Sequence, residues 1–206
     1  MIVPGGSYNQ IMERDSERVA ITLAAHAFQV FVVRYPVVEH KDYQAAKRAL
    51  AQAGDYLTTH AAELGLDPER LGILGFSAGG QLAAAYSNPP ATKFAGLGYP
   101  VIRPLIDQRM GVTTEDVTKL VTPQTPPTFI WGSIKDDLTP YLDHIAPYVQ
   151  ALAANQVPFE LHEFSTGGHG LALANYYTGI VNGDRTDDHM ARWLPLFLEW
   201  LQQLAG

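Results

Sequence analysis

The chain predicts an α/β fold: a three-layer αβα sandwich around a mostly parallel sheet of about six strands. Apolar runs rich in β-branched and aromatic residues recur at 29–35, 71–76, 94–99, 128–131 and 158–164. Four of these five are nearly continuous rather than alternating, which suits strands covered on both faces. Helix-patterned segments lie between them, so strand and helix alternate along the chain. With 206 residues, 47% of them hydrophobic and 17% charged, the chain can bury a full core and divides into about one domain.

The elements follow in order. Ile2 and Val3 end a first short strand ahead of Pro4-Gly5-Gly6-Ser7-Tyr8. A helix is predicted over 16–27, then the strand 29–35 with its core of Val30, Phe31, Val32 and Val33. A long helix over 42–64 leads to the strand 71–76, and a helix over 78–87 leads to the strand 94–99. The connection 100–127 is longer than ordinary, and long connections in compact domains often serve function. It is nevertheless too short for a full cap, so a minimal cap over an open cleft is expected. After the strand 128–131, the loop 133–140 precedes a helix over 141–155 that begins near Pro140. The strand 158–164 is followed by a second long stretch, 166–188, and by a C-terminal helix running from Asp187 or Asp188 to Leu204. Asp184, Asp187 and Asp188 ahead of His189 read as an acidic helix start favoured by the helix dipole rather than as a metal cluster. No internal repeat or low-complexity linker divides the chain, so residues 1–206 are read as one domain.

Composition excludes several functions. Fourteen Lys and Arg against 21 Asp and Glu give a net charge of −7, with no basic stripe to neutralise phosphates, which argues against a nucleic-acid partner. With no cysteine there is no disulfide, thiolate nucleophile or cysteine-ligated metal. The start lacks a basic segment followed by an apolar one, and no apolar run approaches the ~18 residues that cross a bilayer. A cytoplasmic protein is the default expectation.

The chemistry concentrates at Gly75-Phe76-Ser77-Ala78-Gly79, set between the strand 71–76 and the helix 78–87. A serine in that sharp turn sits in a strained backbone, lifts its hydroxyl above the sheet, and requires small neighbours where strand and helix pack closely. The helix behind it brings a positive dipole end to where negative charge develops in acyl transfer. Ser77 is therefore the candidate nucleophile. A serine in such an elbow is followed along the chain by a carboxylate and then a histidine. Asp136 and Asp137 both lie past the end of the strand 128–131, where parallel sheets place their ligand-binding groups. Asp136 is the candidate orienting carboxylate, and Asp137, nearer the helix start, is the alternative. Of seven histidines, only His169 occupies a glycine-rich loop, Gly167-Gly168-His169-Gly170, directly after a predicted strand, and it is the candidate base. The others have plainer explanations: His26 and His60 in helices, His40 in a loop, His144 on a surface helix, His162 in a strand.

These residues together resemble the α/β-hydrolase family, in its bacterial esterase and lipase-like branch with acetyl-esterase and carbohydrate-esterase relatives. The likeness runs through Pro4-Gly5-Gly6, Val33-Arg34-Tyr35-Pro36, Leu66-Asp67-Pro68-Glu69-Arg70, the Ser77 elbow, Asp136-Asp137-Leu138-Thr139-Pro140 and Gly168-His169-Gly170. The resemblance implies that Ser77, Asp136 and His169 form a triad. It also implies that the amides of Gly6, Ser7 and Ala78 form an oxyanion hole, although Ser7 stands where relatives more often carry a third glycine. No cofactor and no metal are implied. The expected reaction is hydrolysis of small esters with short acyl groups, such as an acetylated carbohydrate. The alternatives are a peptidase or thioesterase on the same fold, or a catalytically silent binding member.

Relatives carry two further strands ahead of the glycine-rich loop, which here begins at residue 4. That leaves 29–35 as an edge strand, strongly β-forming and prone to pairing unless covered. A homodimer, or an N-terminal extension absent from these 206 residues, is the expected cover.

Overall fold

A computed structural model describes residues 1–88, 92–179 and 185–205. Five strands, β1 (Ile2–Val3), β2 (Ile73–Phe76), β3 (Ala95–Gly98), β4 (Thr128–Ser133) and β5 (Phe159–Phe164), form one sheet in the order of their numbering, every pair parallel. Strands β2, β3 and β4 are buried along their whole length, which explains their unbroken apolar sequences.

The pleat sends alternate residues to opposite layers. Ile73, Leu97 and Ile130 face one layer with Leu50 and Leu57 of α2 (Tyr43–Thr59), Leu82 of α4 (Ala78–Tyr86) and Leu152 of α6 (Ile145–Ala154). Leu74, Phe76, Phe129 and Trp131 face the other, with Val19 and Leu23 of α1 (Glu17–Ala25) and the aromatic face of α8 (Trp193–Ala205). There the Trp131 and Trp193 rings stack 4.1 Å apart, and Phe129 packs against Phe197. The sandwich is thus the αβα arrangement expected from the sequence.

Four details differ from the sequence reading. Residues 29–35 make no regular strand: they touch the sheet through a single parallel bridge between Ile2 and Val32, with Ile2 donating to Phe31 O and Val33 donating to Ile2 O. The sheet therefore has five strands and a bridge rather than six strands. The helix expected over 42–64 is two, α2 and α3 (Ala61–Leu64), broken at His60 and ended by left-handed Gly65 at φ 64°. The helix expected from 141 starts at Ile145. The segment 100–127 holds the short α5 (Asp107–Met110) and two 3₁₀ turns, and a further short helix, α7 (Tyr176–Gly179), lies in the second long stretch. Asp184 lies outside the described residues. Among those described, no helix is long and apolar enough to cross a membrane, and no three His, Cys, Asp or Glu side chains are grouped to hold a metal.

Candidate active site

The carboxyl ends of β1, β2, β4 and β5 each contribute one segment to a single cleft. Ser77 lies between β2 and α4 at φ 54° and ψ −121°, a conformation L residues rarely adopt. Its amide donates to Gly98 O, and its carbonyl accepts from Gln81 N and Val101 N, so the elbow is held from both sides. The elbow also demands a close approach of helix and strand. A Cβ on Gly75 would stand 2.4 Å from Gly79 O, and one on Gly79 would stand 2.1 Å from Val3 O.

His169 follows β5 in a loop whose glycines at 167 and 170 take φ values of 84° and 75°. Its Nε2 lies 2.8 Å from Ser77 Oγ and its Nδ1 lies 2.8 Å from Asp136 Oδ2. Asp136 is buried and accepts from Leu138 N, Thr139 N and Thr139 Oγ1. Burial alone would push its carboxyl up, but the hydrogen bond and charge of His169, with the Thr139 donors, hold it below the usual carboxylate range. An ionised Asp136 accepts the Nδ1 proton, which fixes the ring tautomer and leaves Nε2 free to accept from the Ser77 hydroxyl. Asp137 is exposed and takes no part in this chain of contacts.

Gly6 and Ser7 line the same cavity of about 380 Å³ as Ser77 and His169. Gly6, Ser7 and Tyr8 have successive φ values of 130°, 54° and 60°, so the chain after β1 turns tightly over the serine. Tyr35 Oη donates to Pro4 O and Tyr8 Oη donates to Gln81, which pin this turn against α4. Ala78 is the first residue of α4, where a backbone N–H has no acceptor within its own helix. The structure thus places Gly6, Ser7, Ser77 and His169 on one cleft, with Asp136 buried behind His169 and Ala78 buried next to Ser77.

Three further residues there escaped the sequence reading. Thr139 bridges Asp136 and His169, its Oγ1 standing 3.2 Å from Nδ1. Asp15 and Arg14 line the cavity from a 3₁₀ turn that carries no motif of its own. His144 corrects an expectation, because it is buried rather than on a surface helix. Its Nδ1 accepts from Ile102 N and Arg103 N, and burial pushes its pKa down to about 4. His162 is held by Glu160 at 2.7 Å.

Comparisons with known proteins place this geometry in context. Residues 1–94 match the BD-FAE family. The crystal structure of the carboxylesterase Cest-2923 from Lactobacillus plantarum WCFS1 superposes with a TM-score of 0.91 at 30% identity, covering 99% of this chain and 84% of that one. An acetyl ester-xyloside bifunctional hydrolase from Caldicellulosiruptor lactoaceticus superposes at 0.82 with 26% identity, covering 99% and 82%. Among curated sequences, an endo-1,4-beta-xylanase B from Butyrivibrio fibrisolvens is 27% identical over 93% of this chain. The chain spans 35% of that relative's length.

Proposed function

We propose that this chain, which belongs to the α/β-hydrolase family, is a carboxylic ester hydrolase whose nucleophile is Ser77. The observation that carries this reading is the unbroken run of two 2.8 Å contacts from Ser77 Oγ through His169 to Asp136, starting at a strained serine. Ser77 Oγ attacks the ester carbonyl while His169 Nε2 takes its proton. Asp136 holds the ring and stabilises the imidazolium. The carbonyl oxygen gains charge beside the amides of Ala78 and of Gly6 or Ser7. The tetrahedral intermediate then collapses, the alkoxide leaves with the proton from Nε2, and the acyl group remains on Ser77. Water, deprotonated at the same nitrogen, releases the acid and restores the serine.

The substrate is a short-chain ester of a polar alcohol, such as an acetylated sugar. A cavity of about 380 Å³ lined in part by Asn9 and Gln10 suits a small, hydrogen-bonding substrate better than a long acyl chain. The acetyl ester-xyloside hydrolase and the xylanase among the relatives support the same class.

A fluorophosphonate probe is expected to label Ser77, and Ser77→Ala is expected to abolish labelling and lower kcat by about 10⁶. Asp136→Ala should cost about 10⁴, and Asp137→Ala less than about threefold. Across 4-nitrophenyl esters, activity should fall from acetate and butyrate to decanoate. Near-wild-type turnover by Ser77→Ala would refute the mechanism, and a maximum at ten carbons would refute the substrate class.

A further inference from the structure

Asp15 is a carboxylate in the cleft that the proposed reaction does not use. It is 1% exposed, yet lines the same cavity as Ser77 and His169. Its two oxygens have different partners. Oδ2 accepts from the amide of Gly5, 3.2 Å away, and Oδ1 accepts from the hydroxyl of Tyr99 at the same distance. Tyr99 in turn reaches two other site segments. Its hydroxyl accepts from Ala172 N in the loop after His169, and its carbonyl lies 3.3 Å from Thr139 Oγ1, which shares its one proton with Asp136. Its ring meets the His169 imidazole edge-on at 5.0 Å. The turn ahead of Ser7, the base loop and the acid loop are therefore joined through one buried carboxylate and one tyrosine.

We propose that Asp15, acting with Tyr99, is a positioning residue: it holds the Gly5–Gly6 turn in register with His169, and its charge stabilises the His169 imidazolium that forms during turnover. This rests on the reading of Ser77 and His169 given above. The groups facing Asp15 are Arg14, whose Nε stands 3.6 Å from Oδ1, together with Tyr99, Tyr35 and His169. Burial holds the Asp15 carboxyl above the ordinary carboxylate range, offset only in part by Arg14, Tyr99, the Gly5 amide and His169, which favour its ionised form. Space confirms how tightly the unit is built. A Cβ on Gly5 would lie 2.8 Å from Asp15 Oδ2 and 3.0 Å from Ser77 Cβ, so glycine at this position lets carboxylate and serine close on one backbone unit.

Asp15→Asn keeps the shape, removes the charge, and can accept from only one of the two donors. Two readouts on an acetyl ester follow. First, kcat should fall by roughly tenfold or more with KM within about threefold, because the loss falls on the transition state. Second, the acid limb of the kcat/KM profile should move to lower pH, since an imidazolium left with Asp136 as its one nearby carboxylate releases its proton more readily than one facing two. Tyr99→Phe keeps the charge and breaks the link, so it should lower kcat and leave the acid limb in place.

The inference is overturned if Asp15→Asn stays within threefold of wild-type kcat, if its loss falls on KM alone, or if its acid limb does not move. Should circular dichroism show Asp15→Asn unfolded, Tyr99→Phe decides, and wild-type kcat in that variant overturns the inference. Fluorophosphonate labelling of wild-type Ser77 separates the two levels: labelling with a negative Asp15 result refutes only the positioning role.

Discussion

Ser77 at φ 54° and ψ −121° stores strain of about 1–3 kcal/mol, held by the three backbone hydrogen bonds on its amide and carbonyl. His144 is a second residue whose environment opposes its solution preference. Its ring is 1% exposed, its Nδ1 is committed to two backbone donors, and its Nε2 has no partner among the described residues. The folded pKa, near 4, lies below the unfolded value of 6.5, so the unfolded chain binds the proton first as pH falls. His144 therefore costs nothing above pH 6.5 and destabilises the fold increasingly from 6.5 down to about 4, by on the order of 3 kcal/mol in full. Glu163 has the opposite sign. Burial pushes its carboxyl up to about 7, so its contribution is intact below pH 4.5 and is lost as pH rises through 7. Because the windows overlap, a variant isolates the histidine. Urea unfolding should show His144→Gln more stable relative to wild type at pH 4.5 than it is at pH 7.5, and an equal difference at the two pH values would refute the assignment. Ser77, Asp136 and His169 were legible because each sits in a local pattern beside a predicted strand end. His144 was not, because residues 141–144 form turns rather than helix, which changes the face on which residue 144 falls. Asp15 was invisible because its partners, Gly5 and Tyr99, are brought to it only by the sheet.

Helix α4 shows how far an element's placement depends on what it lacks. A Cβ on Gly79 would stand 2.1 Å from Val3 O and 2.4 Å from Pro4 O, both backbone atoms that cannot swing aside. Gly79→Ala must therefore push α4 away from β1, with an expected loss of about 1–3 kcal/mol of stability. The same displacement moves the elbow relative to the turn at Gly6 and Ser7, so activity should fall at temperatures where the variant is still folded. Thermal unfolding by circular dichroism and ester turnover at 20 °C check both halves, and full activity would show that the turn does not depend on this contact. The Gly-x-Ser-x-Gly spacing made this packing readable, since both glycines face backbone across the elbow. Residues 29–35 were over-read for the converse reason. Val30, Phe31, Val32 and Val33 have strong β propensity, but β1 offers them only two residues to pair with. Within 42–64, apolar spacing continues through His60, so the break at a residue with φ −101° and ψ 17° left no mark in the pattern.

At the scale of the whole molecule, the sheet ends in two edges, and the backbone directions at each say which groups face outward. Along a strand, successive residues turn their N–H and C=O to opposite sides. Phe31 O and Val33 N both bond Ile2, so Val32 turns its amide and carbonyl away from the sheet. Phe164 O and Pro158 O bond Ile134 N and Thr128 N, so Leu161 and Glu163 turn theirs away at the other edge. The sequence called for a homodimer or an extension to cover a seven-residue strand at 29–35, but the structure leaves one bridged residue there. Very short edges and charged side chains are both ways in which native sheets resist pairing. Arg34, paired to Glu17, flanks the first edge, and Glu160, His162 and Glu163 lie along the second. The expected outcome in amide hydrogen exchange is therefore an alternating pattern at both edges. Val32, Leu161 and Glu163 should exchange at least about tenfold faster than Val33, His162 and Phe164, while β2, β3 and β4 approach the protection of global unfolding. Light scattering at the same concentration supplies the oligomeric state. Slow exchange at Val32 with a dimeric mass would establish the covered edge and overturn the argument from a short one, whereas slow exchange confined to Leu161 and Glu163 would move the interface to β5.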